Sequence, residues 1–309
     1  MDIFRILTEQ IILFVIYIII GVILVKTTVL NQETLETISR FVMKLALPVM
    51  IFINTVNGVD LESLMASFPV LGLTVIFYCC TFVLAKILSH VFHLRADRGR
   101  VYRALTMFGN IGFMGIPIIS NIFPDSGMLY ISVFTIIDQL ALWTIGIKLT
   151  SPGGNGPFNP KKMINPCTIA VVGAVLMVIL GLPLPSLLGT AFEKIGASAT
   201  PLAMIYLGGV FACMDIREYI CTKEFYGIVV IKMVVFPILF FVVSGLFPFA
   251  ESIRLTVTLL AAMPAMSSIV MMARASGSEG NYAMGGIFTT TVCSIVTIPF
   301  TLWVIQTVF

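Results

Sequence analysis

Two ionisable side chains, Asp138 and Lys232, lie deep inside long apolar segments of the sequence. A charge in such a place is costly, so buried acids and bases in membrane segments usually serve a function. At 1.5 Å per helical residue, Asp138 lies about 15 Å and Lys232 about 12 Å from the ends of their segments. The similar depths favour an ion pair, whereas a lone Asp138 could exchange protons.

Simpler alternatives exist for both residues. The long stem of Lys232 could carry its ammonium group to the cytoplasmic surface, as lysine stems often do at membrane boundaries. Asp138 is too short to reach the surface, but it could be neutral and purely structural. The sequence leaves these alternatives open.

A second chemical feature is a pair of stretches that break helices. Residues 109–117 hold three glycines, Asn110 and Pro117, and a later segment carries Pro264 followed by Ser267. Proline removes a backbone donor, and exposed backbone at membrane depth is tolerated only inside protein or beside water. A half-helix N-terminus there carries about half a positive charge, which suits an anion. The simpler alternative is two kinked helices without a ligand.

The composition indicates which kind of secondary structure holds these residues. Of the 309 residues 59% are hydrophobic and 11% charged, with a mean hydropathy of +1.07. Soluble domains are nearer half apolar and a quarter charged, so soluble enzyme classes are excluded. The apolar segments are long and unbroken, which predicts spanning helices and not a barrel. At roughly 20 residues per span the chain holds about ten helices.

Several other classes are not supported by any motif. The sequence has no Walker loop, no HExxH motif and no GxSxG turn, which argues against ATP-driven pumping and against an enzyme. The six cysteines lack metal-ligand spacing, and a net charge of +3 carries no nucleic-acid signal. We therefore predict no cofactor, no metal and no nucleic-acid partner.

Ten spanning segments are predicted, separated by turn signals. Their bounds are 9–29, 34–55, 67–89, 103–122, 128–149, 164–183, 190–213, 224–247, 254–273 and 282–307. Basic residues concentrate in the loops after the odd-numbered spans, which marks those loops as cytoplasmic. They are Lys26, Arg95, Arg98, Arg100, Arg103, Lys161, Lys162, Arg217, Lys223 and Arg274. Both termini are therefore predicted to be extracellular or periplasmic, in a multi-pass protein of the plasma or inner membrane.

The soft linker 150–163 divides the chain into halves of five spans each, 1–149 and 164–309. Because five is odd, two similar halves in tandem must have opposite topology, as in many secondary transporters. Prolines support a duplication, since the separation of Pro48 from Pro201 is close to that of Pro117 from Pro264.

The stretch 110–119 resembles the signature of the auxin efflux carrier family, which includes the plant PIN proteins and bacterial relatives. Weaker matches are Pro48, residues 196–203 and 261–264, and Pro299. The short central linker resembles bacterial members. Plant members resemble one another in an acid–lysine pair on helix 3, and this sequence has no acid there, which makes Asp138 and Lys232 the nearest substitutes.

The resemblance implies ten helices in two inverted five-helix repeats, with broken helices 4 and 9 crossing at their prolines. Helices 1, 2, 6 and 7 would form a scaffold and homodimer domain, and helices 3–5 and 8–10 a transport domain that moves like an elevator. A small carboxylate would lie beside the crossover, held by Asn110.

We therefore predict a secondary carrier that exports a small organic anion, either an auxin-like indole acid or a small mono- or dicarboxylate. The predicted substrate-binding residues are Asn110, Gly115, Ile116 and Pro117 on helix 4, Pro264, Ala265 and Ser267 on helix 9, and Pro48, Ile51, Pro201 and Tyr206 on the scaffold. The alternatives are a non-transporting sensor or receptor that uses the same pocket, and a passive channel. The chain lacks the large soluble appendage typical of the first and the polar stripe needed by the second.

Overall fold

The computed structural model describes residues 3–58, 65, 68–124, 126–155, 166–214 and 221–308. Throughout these ranges the regular structure is helical, apart from one isolated antiparallel bridge between Gly109 and Ala265. Three of the basic loop residues used to predict orientation, Lys161, Lys162 and Arg217, lie outside the described residues.

The helices of the first half include two that continue through a turn of π-helix and a third that begins with one. Their bounds are α1 Ile3–Lys26; α2 Gln32–Phe41, continuing through Val42–Ala46 into α3 Leu47–Gly58; α4 Phe68–Val91; α5 Ala96–Met107; a π turn Ile111–Gly115 leading into α6 Ile116–Ile122; and α7 Gly127–Ala141, continuing through Leu142–Gly146 into α8 Ile147–Thr150.

The second half repeats this mixture of long, short and interrupted helices. Their bounds are α9 Pro166–Leu180; α10 Ser186–Ala197; α11 Ala199–Ala212; α12 Lys223–Gly227, continuing through the π segment Ile228–Val235 into α13 Phe236–Ser244; α14 Glu251–Ala262; α15 Ser268–Ala275; and α16 Gly280–Val308.

Six helical stretches in the described part of the chain are long and apolar enough to cross a membrane. They are Phe4–Lys26, Phe68–Val91, Gly127–Thr150, Ser186–Ala212, Lys223–Ser244 and Gly280–Val308, with shorter apolar stretches at Ile111–Ile122 and Pro166–Leu180. The prediction of an all-helical membrane protein is confirmed. The remaining predicted spans coincide with shorter or interrupted helices; those at 103–122 and 254–273 are interrupted next to Gly109 and Pro264.

The helices form two compact units, and neither unit coincides with one half of the chain. The first unit contains Met1–Phe68, Gly112–Ile136 and Ile164–Met214, and the second contains Pro69–Ile111, Ile137–Met163 and Asp215–Phe309. Each unit takes helices from both halves. The predicted division at 150–163, and the grouping into scaffold and transport helices, stay predictions.

In the first unit, glycines allow α1 and α11 to pack backbone against backbone. A Cβ added to Gly21 would lie 2.1 Å from the carbonyl oxygen of Ile205, and one added to Gly208 would lie 2.0 Å from that of Ile18. Small residues permit such close approach between membrane helices, where dispersion replaces the hydrophobic effect as the driving force. This packing holds α11 beside α1, and both helices line a cleft in the first unit.

In the second unit, polar contacts at one end join α5 to α12. The Arg98 guanidinium donates to the carboxylate of Glu224 at 2.8 Å, and the Tyr102 hydroxyl donates to the Glu224 carbonyl at 3.0 Å. Because α12 leads into the π segment Ile228–Val235, these contacts fix the helix that carries Lys232 beside the helix that ends at Met107.

Candidate functional site

Two helices of the second unit end abruptly and meet at their ends. Helix α5 ends at Met107, α14 ends at Ala262, and the next residue of each, Phe108 and Met263, is extended. The two extended stretches run antiparallel. The N–H of Asn110 donates to the carbonyl of Pro264 at 2.7 Å, and the N–H of Met266 donates to that of Phe108 at 2.9 Å. We call residues 108–111 and 263–267 the break pair.

The break pair satisfies backbone groups that the interrupted helices would otherwise leave exposed, as the membrane interior requires. The N–H of Ala265 also donates to the Thr290 hydroxyl at 3.2 Å. The approach is close at Gly109, where an added Cβ would lie 3.3 Å from the Leu260 carbonyl oxygen. Glycine at this position therefore permits the contact between the two stretches.

Lys232 lies at this break and is fully buried. Its ammonium group donates to the carbonyl of Met263, directly after the C-terminal end of α14. A helix C-terminus carries about half a negative charge, so a cation there is stabilised. The Lys232 nitrogen also lies 3.6 Å from where a Cβ on Gly109 would be. The alternative in which Lys232 extends to the surface is wrong, because its side chain ends inside the unit.

Asp138 is also buried, but neutral donors contact it. The Tyr78 hydroxyl and the Gln139 amide, the latter at 3.0 Å, both donate to its carboxylate. Among the described residues the ion pairs do not include Asp138 with Lys232. The predicted direct pair is therefore wrong: the ammonium is held by a helix end, and the carboxylate by a phenol and an amide.

The predicted binding residues divide between the two units. The second unit brings together Asn110, Pro264, Ala265 and Ser267 at the break pair, with Asp138 and Lys232 in the same unit. The first unit contains Gly115, Ile116, Pro117, Pro48, Ile51, Pro201 and Tyr206. Asn110 is 2% exposed and Ser267 8%, so this part of the site is enclosed.

The first unit contains a cleft of about 250 Å³. It is lined by Gln10, Leu13, Phe14, Tyr17, Met50, Ile116, Pro117, Ser120, Asn121, Ala197, Thr200 and Pro201. Three predicted residues, Ile116, Pro117 and Pro201, therefore share one surface. Pro48 and Ile51 are buried in α3, and neither they nor Tyr206 lines the cleft.

The sequence analysis did not identify several polar residues in the second unit and in the cleft of the first unit. At the second unit it missed Tyr78, Gln139 and Thr290, and in the cleft it missed Gln10, Tyr17, Ser120, Asn121 and Thr200. Their signal was available, because uncharged polar side chains inside apolar segments are rarer than aliphatic ones. Hydroxyl groups can also bond to their own helix, which made the signal weak.

Comparison with known families decides the class of the protein. The model of the family described as "Membrane transport protein" matches residues 6–157 and matches again at residues 155–302. The chain belongs to this family. The resemblance to auxin efflux carriers is thereby confirmed, and the family is one of transporters and not of enzymes.

Two archaeal proteins are similar over nearly their whole length. An uncharacterized transporter of Methanothermobacter thermautotrophicus is 25% identical over 306 residues, which covers 96% of this chain and 97% of the relative. An uncharacterized transporter of Methanocaldococcus jannaschii is 22% identical over 291 residues, covering 90% and 92%. The family match also occurs twice, with its boundary inside the predicted central linker.

Proposed function

We propose that this membrane transport protein is a secondary carrier for a small organic anion. The observation that carries the proposal is the buried Lys232 ammonium at the break pair, in the same unit as the buried Asn110. Within the described residues Lys232 forms no ion pair, and its one acceptor is the Met263 carbonyl. A carboxylate would supply the missing counter-charge, since buried charges are stable only when paired.

The chemistry of the break pair supports a small carboxylate over a large or apolar molecule. An ammonium group and an amide side chain together offer several N–H donors to two carboxylate oxygens. Charge-assisted hydrogen bonds of this kind are about twice as strong as neutral ones. Because the surroundings are apolar and enclosed, water competes little for these donors.

For the architecture we propose ten spans in two inverted five-helix repeats, with the broken helices of the two repeats crossing at the break pair. The double family match supports the repeat, and the odd number of spans per half supports the inversion. We further propose elevator-type movement of helices 3–5 and 8–10 against a scaffold of helices 1, 2, 6 and 7 that dimerises in the bilayer. The second compact unit contains helix 3, helices 8–10 and parts of helices 4 and 5, which supports such a moving body, whereas residues Gly112–Ile136 of helices 4 and 5 belong to the first unit.

Orientation follows from the basic loops, so both termini face outward and export leads away from the cytoplasm. Cysteine labelling of intact cells checks this orientation. A cysteine at position 98 should be inaccessible from outside, whereas one near the N-terminus should react, and the reverse result would reject the orientation.

A two-stage experiment tests the function. Thermal-shift measurements on purified protein against mono- and dicarboxylates and indole acids identify ligands, and flux into liposomes then distinguishes a carrier from the alternative. Saturable flux of an acid that also stabilises the protein supports the carrier. Stabilisation without flux in either direction would favour a sensor or receptor, and no response to any acid would reject an organic-anion site.

A further inference from the structure

A narrow apolar groove of about 150 Å³ lies in the second unit, between α4 and α13 with the residues that follow α13. The side chains of Leu73 and Phe240 in its lining are buried. Four other apolar lining residues are 42–57% exposed, namely Ile76, Leu239, Val243 and Phe247. Apolar pockets of about this volume hold a benzene-sized group. A segment of one hydrocarbon chain therefore fits the groove, whereas a helix about 10 Å across is too wide for it.

The groove lies on a surface that lipid can reach. Its four exposed residues keep their exposure in the presence of the rest of the chain. The two helices that form it belong to the stretches Phe68–Val91 and Lys223–Ser244, which are long and apolar enough to cross a membrane. Within a bilayer, the hydrocarbon chains of lipids are the molecules that contact such a surface.

A cationic side chain lies beside the end of the groove at which the stretch Lys223–Ser244 ends. Ser244 lines the groove, and its hydroxyl accepts a hydrogen bond from Nε of Arg254 at 3.4 Å. The Nη2 atom of Arg254 also donates to the Phe241 carbonyl at 2.8 Å. Gly245 leaves room for this contact, since an added Cβ would lie 2.6 Å from Nη2. The guanidinium group is therefore held at the end of a membrane-crossing helix, where lipid headgroups lie.

Arg254 has donors that the fold does not use. Two of the five N–H groups of its guanidinium are engaged by Ser244 and Phe241, which leaves three. Glu251 precedes Arg254 by one helical turn, but the ion pairs in the described part of the chain include neither residue. Guanidinium groups bind phosphate oxygens through two parallel N–H donors. The positive end of the groove is thus complementary to a phosphate headgroup.

We propose that the groove binds a phospholipid, with one hydrocarbon chain between α4 and α13 and an anionic headgroup on Arg254. A single arginine near the membrane surface contributes about 1 kcal/mol to the attraction of an anionic lipid, or about a fivefold preference over a zwitterionic lipid. The proposal is independent of the proposed function, because lipid binding does not require transport.

The headgroup is tested by native mass spectrometry of the purified protein with added phosphatidylglycerol or phosphatidylcholine of identical chains. The wild type should bind its first phosphatidylglycerol about fivefold more tightly than its first phosphatidylcholine. Arg254→Gln should abolish this preference, whereas Arg254→Lys keeps the charge and should retain most of it. Arg5→Gln is the control for loss of a charge, because Arg5 pairs with Glu9 outside the groove, and it should keep the full preference.

The hydrocarbon chain is tested by filling the groove. Val243→Trp places a large side chain in it and should weaken the binding of both lipids about equally. Val230→Trp is the matched control, since Val230 precedes α13 on the same continuous helix, is 55% exposed against 53% for Val243, and does not line the groove. It should bind both lipids as the wild type does.

Four results would overturn the proposal. Equal binding of the two lipids to the wild type would reject the headgroup site, and equal loss in the two tryptophan variants would reject the groove. Loss of the preference in Arg254→Lys as well as in Arg254→Gln would mean that the guanidinium only closes the end of α13. A dimer that dissociates in Val243→Trp alone would assign the groove to a second copy of the chain. Because no transport is measured, none of these results bears on the proposed function.

Discussion

The break pair and the cleft differ in which polar groups they contain and in how those groups are satisfied. At the break pair, backbone groups satisfy one another and a buried ammonium group supplies charge, so most polar atoms are already engaged. In the cleft the backbone is helical, and the polar side chains that line it are uncharged. The comparison teaches that interruption of a helix and availability of polar groups are separate properties, although the same proline-containing segments suggest both.

The comparison also separates the attraction of anions in general from the selection of one anion over another. A buried cation attracts any small anion, because its field is long-ranged in apolar surroundings. Hydrogen bonds from amides and hydroxyls depend on geometry and distinguish one substituent from another. We therefore expect variants that remove the charge at the break pair to affect all transported anions alike.

The largest effect should come from Lys232→Met, which removes the charge and leaves the Met263 carbonyl without its donor. Anion flux should fall by more than about a hundredfold, since a hydrogen bond to a charged group contributes about 1.5–3 kcal/mol and the attraction for the anion is also lost. Liposome flux measures it. Lys86→Met is the control, because Lys86 lies 4.3 Å over the Phe82 ring in α4, and it should transport normally. Equal loss in both variants would contradict a special role for Lys232.

A smaller effect is expected from Asn110→Ala at the same break. Binding of the transported acid should weaken about ten- to a hundredfold, while the protein still folds, because the backbone bond from Asn110 to Pro264 does not need the side chain. Calorimetry on purified protein gives the affinity, and the melting temperature without ligand reports folding. Unchanged affinity would place the carboxylate elsewhere.

Gly109→Val tests the close packing between the two extended stretches of the break pair and leaves the charge of Lys232 in place. The added side chain meets Leu260 and Met263, so we expect a loss of about 1–3 kcal/mol in stability, as for overpacking in general. Gly72→Val in α4 is the matched control, since no atom lies within 4 Å of its added Cβ. Melting temperatures in one detergent compare the two. A Gly109 variant as stable as the Gly72 variant would mean that the two stretches separate easily.

The smallest effect concerns the coupling between Asp138 and Lys232. Because the structure gives them different partners, the effects of Asp138→Asn and Lys232→Met on flux should add within about 0.5 kcal/mol in the double variant. A double variant that transports better than either single variant would show that the two charges act as a pair. Measuring the four proteins across pH also tests proton exchange, since Asp138→Asn alone should then abolish the pH dependence.

The sequence by itself determined that the protein is a helical membrane protein and where its helices are interrupted. Long apolar segments allow only membrane helices, because each backbone group must be satisfied within the bilayer. The glycines and Pro117 in residues 109–117, and Pro264, marked both interruptions within a few residues. The positions of Asp138 and Lys232 within apolar segments predicted depth for both, but the sequence left open whether Lys232 reaches the surface; both side chains are buried.

Only the tertiary structure decided which groups meet. Depth along a helix follows from residue number, but the direction of a side chain around the helix depends on which neighbours pack against it. The predicted pair failed for this reason: Asp138 and Lys232 have similar depths, yet Tyr78 contacts one and Met263 the other. The cleft likewise assembles α1, α6 and α11, whose proximity no local pattern in the sequence encodes.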